Sequence, residues 1–458
     1  MNRLYQPTDI ASLVFFRVVF GILGLVDVLS TWIYYHFTKR AYEPGNFQFT
    51  YYGFEWVQPL PEPFLSIFFV LLSVAAAFIA IGYRYRVATL FFAFGFLYTF
   101  LLEKAHYLNH GYLYSWIAFI MIFLPAHRNF SVDVLKKPAL KLEKIPFWCL
   151  GILPFLMAVV YFYGGIAKIN PDWLNAMPLK LWLKSKSNLF LIGPILEKEI
   201  TAYFMAYGGL ALDLFVVFFL LFRKTRIWAL LFVLFFHFVN LLVFNIGIFP
   251  FLSITLTLLF FPPDFPRKGF FWLKARIKPL AKLETWWQNQ TTIESETSLP
   301  LWQNQTRWRP LINTGLVLLA IIHLTVPLRH HLFQGDVTWT EEGHRYSWRM
   351  MLRSKQGYGH FIVENKATGE REKVRPRKYL GSKQNRKLYT HPDMILQFAH
   401  FLQKEYKKQG KDVAVYAEIQ AKLNGRPYQV YIDPDVDLTQ EQWSFWKQSD
   451  WIVPEKRE

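Results

Sequence analysis

The sequence predicts an all-α membrane bundle of about eight to nine transmembrane helices, followed by a small extracytoplasmic α+β domain, and three observations carry that prediction. Of 458 residues, 53% are hydrophobic and only 18% are charged, below the quarter or so that soluble domains carry. The apolar residues lie in unbroken runs: residues 64–82 contain no charge over 19 positions, close to the roughly 20 that cross a bilayer as a helix. Beyond about residue 330 the pattern becomes that of short strands and an amphipathic helix.

Taken in order, apolar runs nominate spans near 11–35, 64–82, 87–102, 112–125, 146–167, 200–222, 227–244, 251–262 and 311–328. The first follows a polar stretch and holds Arg17 and Asp27, unlike a cleaved signal sequence. Residues 227–262 are too many for one span and are broken at Asn245, Gly247 and Pro250. Such a break is tolerated at membrane depth only where protein or a cavity surrounds it. The predicted organisation is a helical bundle over 1–262, a polar cytoplasmic linker over 263–310, a last transmembrane helix over 311–330 and the outer domain over 331–458. The linker repeats Trp-Gln-Asn-Gln-Thr, ending at Thr291 and at Thr306, and Asn289 and Asn304 match the glycosylation sequon. In the outer domain, 360–363 and 413–423 read as strands, and Asn424-Gly425 before 428–432 as a hairpin turn. Residues 392–408 have helical spacing, with Ile395, Phe398, Ala399 and Leu402 on one side.

Lys and Arg number 51 against 33 acids, a net charge of +18. No nucleic-acid motif accompanies the excess, so it reads as loop charge that faces anionic lipid and sets topology. With the N-terminus inside, Arg84 and Arg86, then Arg128, Lys136, Lys137, Lys141 and Lys144, then Arg223, Lys224 and Arg226 all fall on the cytoplasmic face. The same alternation puts the loop 103–111, the loop starting at Lys168 and everything after residue 330 on the opposite face, where any chemistry is expected. The single Cys149 excludes an intrachain disulfide and a cysteine-based metal cluster. No histidine pair has metal spacing on one helix, no Gly-rich loop follows a strand and no nucleophile elbow is visible, so no metal is expected.

Four stretches hold residues suited to chemistry. In the first, an apolar span ends in Gly164, Gly165 and Lys168. A lysine snorkelling to the membrane surface fits this pattern; so does one in a desolvated pocket, where loss of water favours a neutral amine able to act as a base. The paired glycines would let a helix or a flat ligand come close. In the second, Asn109 and His110 start the fourth span on the same outer face, as interfacial hydrogen-bonding residues or as part of a site shared with Lys168. In the third, His237 and Asn240 lie at i and i+3 in an apolar span, in an interhelical hydrogen bond or a buried site. In the fourth, Met350 and Met351 sit between aromatic and basic residues, as core or as an adaptable apolar lip.

At these residues the chain resembles the vitamin K-dependent γ-glutamyl carboxylase family, whose membrane part is the HTTM domain. The resemblance runs through Phe16-Arg17-Val-Val-Phe-Gly21 with Asp27, Leu101-Leu-Glu-Lys104, Asn109-His110-Gly-Tyr-Leu-Tyr114, Ser131-Val-Asp133 and Gly165-Ile-Ala-Lys168 with Asp172-Trp173. It continues through Gly208-Gly209 with Asp213, His237 with Asn240, Gly247 with Phe249, Tyr346-Ser-Trp-Arg-Met-Met351 and Asp433-Pro434. The resemblance implies a reaction in which reduced vitamin K, as phylloquinone or menaquinone hydroquinone, meets O2 and leaves as the 2,3-epoxide. The oxygenated intermediate removes a γ-proton from a glutamyl side chain, and the carbanion takes CO2. It implies that Lys168 deprotonates the hydroquinone, that His110 and Asn109 orient and stabilise the oxygenated quinone, and that His237 lies at another family position in the membrane core; His237, Asn240, Met350, Met351, Gly164 and Gly165 are expected to bind the quinone. Arg353 and Lys355 could meet carboxylates of a glutamate-bearing peptide, although the residue types there differ from the family pattern. The chain stops soon after Trp451, which points to a reduced propeptide-docking surface.

The expected partners are therefore the quinone, membrane lipid, a glutamate-bearing peptide or protein, and a quinone or epoxide reductase in the same membrane, with no nucleic acid. The compact chain and single cysteine point to a bacterial inner membrane with a periplasmic active face, or a luminal one in a eukaryotic endoplasmic reticulum. The competing readings are a quinone epoxidase without carboxylation, and a non-enzymatic quinone or lipid carrier or a transporter built on the break near Asn245.

Overall fold

A computed structural model of the chain describes residues 2–34, 47–190, 192–244, 246–291 and 307–456. Helices dominate the first three quarters: α1 (Ala11–Leu29), α2 (Phe64–Ile81), α3 (Tyr85–Leu101), α4 (Asn109–Met121), α5 (Trp148–Ala167), α6 (Glu199–Leu221), α7 (Arg226–Val243), α8 (Phe249–Leu258), α9 (Phe265–Lys274), α10 (Lys278–Thr291) and α11 (Arg309–Thr325). Each of the nine predicted spans coincides with a helix. Among the described residues, six helical stretches are long and apolar enough to cross a membrane: Ala11–Ile33, Phe64–Ile81, Trp148–Ala167, Glu199–Leu221, Arg226–Val243 and Arg309–Leu332. Helices α3, α4 and α8 are shorter, at 17, 13 and 10 residues. Helix α4 opens at Asn109, ahead of the predicted start at 112, and Pro250 fixes the first turn of α8. The predicted break between α7 and α8 is present, with Gly247 left-handed at φ 64°; Asn245 lies outside the described residues.

Close approach of small residues sets the bundle. A Cβ on Gly21 would fall 2.5 Å from the backbone nitrogen of Ala80, so α1 and α2 pack almost backbone to backbone. At the end where α1 begins, Arg17 is fully buried and its guanidinium donates to the carbonyls of Ala126 (2.9 Å), Asn129 (3.1 Å) and Phe130 (2.6 Å). Asp133 accepts from the backbone N–H of Arg84 (2.7 Å) and Tyr85 (3.0 Å), so a carboxylate from the next loop satisfies orphan donors at the start of α3. The basic loops around Arg84 and Arg128 therefore share one end of the bundle. There β1 (Pro7–Asp9) also pairs antiparallel with β2 (Lys144–Pro146).

Residues 263–310, expected as a polar linker, are helical where described. Arg267 on α9 donates to Asp9 (3.2 Å) and Glu143 (2.8 Å), and Trp287 on α10 stacks obliquely on Phe130 at 5.3 Å. These contacts fold the segment back onto the basic end of the bundle. Asn289 lies in α10, and Asn304 lies outside the described residues.

At the opposite end sits the α+β module. Strands β3 (Lys355–Asn365), β4 (Arg371–Val374), β5 (Val413–Leu423) and β6 (Gln429–Val430) form an antiparallel sheet of order β4-β3-β5-β6. The β5–β6 connection turns at Asn424 (φ 50°) and Gly425 (φ 85°), the left-handed pair that an Asn-Gly hairpin demands. Helix α12 (Ser382–Leu388) leads into α13 (Pro392–Lys408), whose Ile395, Phe398, Ala399 and Leu402 are buried against the sheet, as their spacing predicted.

The module is fastened to the bundle loops by buried polar pairs. Lys104 Nζ lies 2.6 Å from Asp393 Oδ2, which also takes a bond from Arg345 (2.6 Å). Beyond α5, Asp172 accepts from Arg426 (2.7 and 3.1 Å) and Asn424 (2.7 Å) of the hairpin. The loop 103–111, the loop starting at Lys168 and the C-terminal module thus meet at one end, the grouping that loop charge predicted.

Candidate active site

A cavity of about 2050 Å³ opens between the bundle and the module. Its volume is at least twice the roughly 300–1,000 Å³ of an ordinary small-ligand pocket, so it has room for two ligands side by side. Helix α1 contributes Asp27, α4 contributes Asn109 and His110, α6 contributes Asp213, and α7 contributes His237 and Asn240. Lys168 lines it from the end of α5, and Met350, Met351, Arg353 and Lys355 line it from the module. Nine of the eleven residues singled out from sequence meet there; Gly164 and Gly165 lie behind its wall.

Lys168 is 6% exposed. Its Nζ donates to Asp213 Oδ2 at 2.5 Å and to the carbonyl of Gly164 at 3.3 Å, and lies 5.3 Å from the ring of Trp173. The expected solitary neutral amine is therefore corrected to one half of a buried pair. An isolated ammonium is too costly to bury, and a carboxylate on the neighbouring helix offsets that cost. The glycines make the meeting possible: a Cβ on Gly165 would sit 2.7 Å from the side chain of Leu214, and one on Gly164 would sit 3.1 Å from Asp213 Oδ2. Both serve the contact of α5 with α6 instead of a flat ligand.

Asn109 and His110 open α4. The backbone N–H of Tyr346 donates to Tyr107 Oη (2.8 Å), whose hydroxyl donates to Asn109 Oδ1 (2.8 Å), so a backbone group of the module orients this amide. The His110 ring stacks on Phe249 at 6.1 Å, and the opposite contact of Phe249 is an edge-to-face approach to His237 at 5.9 Å. His237 makes the predicted interhelical bond: its Nε2 is 2.9 Å from Ser253 Oγ, which lies 3.0 Å from Tyr161 Oη. Its Nδ1 is buried without a hydrogen-bond partner among the described residues. Histidine rings, asparagine amides and the paired amine are thus among the polar points in a wall that also carries Phe96, Met157, Phe236, Phe244 and Phe249.

The module supplies the other half. Tyr346, Trp348 and Met351 hold left-handed φ values of 68°, 57° and 57°, which bulky residues rarely adopt. This kinked strap inserts Trp348, 1% exposed, into the bundle core and leaves Met351, 39% exposed, at the rim. Arg353 and Lys355 are already engaged. Arg353 donates to Glu341 Oε2 at 2.7 Å and lies 2.8 Å from His344 Nε2. Lys355 donates to Tyr431 Oη (2.7 Å) and to the carbonyl of Trp339, and lies 3.5 Å from Glu341 Oε1. Both cations are thus held by internal counter-charge, as cations this deep require.

Burial lowers Lys355 to about 7 and Lys387 to about 8, and the Arg353 charge adds to the effect on both. Burial and the surrounding cations hold His344 and His391 well below the ordinary imidazole value. Burial opposes ionisation of Asp393, yet Arg345 and Lys104 hold its carboxyl well below the usual range. The sequence reading missed Asp213 as the partner of Lys168, although a lone acid inside an apolar run was the available signal. It also missed Tyr107, Ser253, Arg345, Arg349 and Lys387, which belong to the site only because distant segments converge.

Residues 5–265 match the HTTM domain, and residues 308–458 match the lumenal domain of vitamin K-dependent gamma-carboxylase. No solved structure matches the chain. The first match alone covers more than half of the sequence, and the break between the two falls in the segment carrying α9 and α10. With six helices among the described residues long and apolar enough to cross a membrane and its docked α+β module, the chain belongs to the vitamin K-dependent γ-carboxylase family of multi-pass membrane proteins.

Proposed function

We propose that the protein is an integral-membrane vitamin K-dependent γ-glutamyl carboxylase-like enzyme that converts a naphthohydroquinone to its 2,3-epoxide and uses that conversion to place CO2 on a glutamyl side chain. The observation that carries the proposal is the buried Lys168–Asp213 pair in the wall of a cavity that also holds Asn109, His110, His237 and Asn240. An apolar wall with polar points, among them His237 Nδ1, which has no hydrogen-bond partner among the described residues, suits a fused aromatic ring with two oxygens and an isoprenoid tail.

Bound there, the reduced quinone would supply with O2 the oxidative driving force for removing a proton from carbon. The chain's own residues do the rest. Lys168 and Asp213 together hold one exchangeable proton at no net charge, so a hydroxyl beside them can pass its proton to the pair and leave an anion facing the Lys168 ammonium. Asn109 and His110 fix the ring by hydrogen bonds, with the amide held by Tyr107. The aromatic wall and the docked module exclude water, which would quench a carbon base. Above them Arg353, Lys355 and Lys387 attract the carboxylate of a glutamate-bearing peptide, in competition with Glu341. The active end and the module face away from the cytoplasm, a periplasmic or luminal orientation supported by the basic loops at the other end, and a reductase in the same membrane returns the epoxide to the hydroquinone.

The test is mass spectrometry of the quinone after purified protein is incubated with menahydroquinone and O2, with labelled CO2 and a Glu-rich peptide in a parallel reaction. Epoxide and labelled peptide are expected together. Epoxide alone would reduce the activity to an oxygenase, and saturable quinone binding without O2 consumption would leave a carrier.

A further inference from the structure

Asp27 is an acid in the cavity wall that the proposed chemistry does not use. It lies in the outward half of the candidate span Ala11–Ile33, with Ser30 and Thr31 one turn on in the same wall. Among the described residues its carboxylate makes no hydrogen bond or ion pair, whereas those of the other two cavity-lining acids, Glu103 and Asp213, both do. An ionisable side chain inside a membrane span, facing a cavity and unpaired among the described residues, is poorly accounted for by folding alone.

The geometry points to Asp27 as the residue that makes the quinone site select the reduced form of its ligand, an inference that rests on the quinone reading above. The reason is donor and acceptor arithmetic. Lys168 has only hydrogens to offer and serves a hydroxyl oxygen or a carbonyl oxygen alike. An ionised carboxylate only accepts. A hydroquinone brings two hydroxyl donors, so while Lys168 and Asp213 engage one, Asp27 on a separate helix can take a charge-assisted bond from the other. The oxidised quinone and the epoxide present carbonyl oxygens at both positions. Either one would set lone pairs against the carboxylate and leave it buried without a donor, the arrangement that rejects a ligand lacking its hydroxyl. Asp27 thereby admits the substrate and weakens its hold on the product, with no bond made or broken at Asp27 itself.

The experiment is equilibrium dialysis of the full-length protein in detergent under anaerobic conditions, with 2-methyl-1,4-naphthohydroquinone and 2-methyl-1,4-naphthoquinone as probes. Wild-type protein should bind the reduced probe about tenfold or more tightly than the oxidised one, the amount expected of one hydrogen bond to a charged group. In Asp27→Asn, whose amide can donate to a carbonyl, the preference should fall to about twofold or reverse. An unchanged preference in Asp27→Asn, or equal binding of both probes by the wild type, overturns the inference while leaving the quinone site standing. A second ligand keeps the test independent of how well the variant folds: 1,4-dimethoxy-2-methylnaphthalene has no donor and should bind the wild type as weakly as the quinone, and an affinity equal to that of the hydroquinone also overturns it. Binding of none of these probes would remove the site itself, and with it the functional reading.

Discussion

The two halves of the cavity handle charge in opposite ways. On the bundle side acids and bases are mixed: Lys168 is paired with Asp213, Glu103 and Lys104 come from the loop before α4, and Asp27 has no ion pair among the described residues, in a wall that also carries aromatic and aliphatic side chains. On the module side cations crowd together, with Arg345, Arg349, Arg353, Lys355 and Lys387 in one rim, and every cavity-lining acid among the described residues comes from the bundle. The contrast teaches that one cavity can present two solvents. The lower half suits an apolar ring whose only demand is two hydrogen bonds, and the upper half suits an anion that arrives from water.

The largest expected effect separates the halves at the bundle side. Lys168→Ala should lower epoxide formation by about 10²- to 10⁴-fold, the usual weight of a positioned base, in protein whose elution and helical content match the wild type; retained turnover would break the comparison by making the pair structural. Next, Asp213→Asn leaves a buried amine without its counter-charge and should cost about 3–5 kcal/mol, read as a fall in the midpoint of thermal unfolding. Gly165→Ala forces a methyl group to within 2.7 Å of Leu214 and should cost about 1–3 kcal/mol by separating α5 from α6, with a parallel loss of epoxidation.

On the module side the effects are smaller and fall on the anion. Arg353→Gln should raise the KM for a Glu-containing peptide by about tenfold, the scale of one charge-assisted contact, and lower the ratio of carboxylated peptide to epoxide. The smallest effect is in pH. Lys355 and Lys387 carry full charge only below about 7 and 8, so peptide affinity should weaken a few-fold between pH 6 and pH 9. Stability should run the other way. The folded lysine lies below its unfolded value, so the unfolded chain binds more protons from about pH 7 to about 10.4, and this contribution to stability rises with pH across that window. Affinity that holds constant to pH 9 would show that the arginines alone carry the anion.

How much of this was legible in the sequence differs between the halves for a physical reason. Apolar runs and hairpin chemistry are local, so all nine helical segments, the helix 392–408 and the Asn424-Gly425 turn could be read directly. Lys168, His110 and His237 could be nominated because polar residues in apolar surroundings are conspicuous. Asp213 was as conspicuous, but its partner is decided by a helix contact 45 residues away in the chain. Residues 263–291 read as a linker because their helices carry no strong apolar run; Arg267 and Trp287 dock them through contacts with Asp9 and Phe130 that no local pattern encodes.

The sequence by itself determined that this chain enters a membrane, where its helices begin and end to within a few residues, which loops share an end, and which family it resembles, because hydrophobic length, turn chemistry and loop charge act residue by residue. Only the tertiary structure decided that Phe49 and Ala105 of the bundle loops complete the core of the C-terminal module, that Trp348 of the module completes the core of the bundle, and that Lys168 is paired. Burial and pairing depend on what distant segments bring to the same place, and no stretch of sequence carries that information alone.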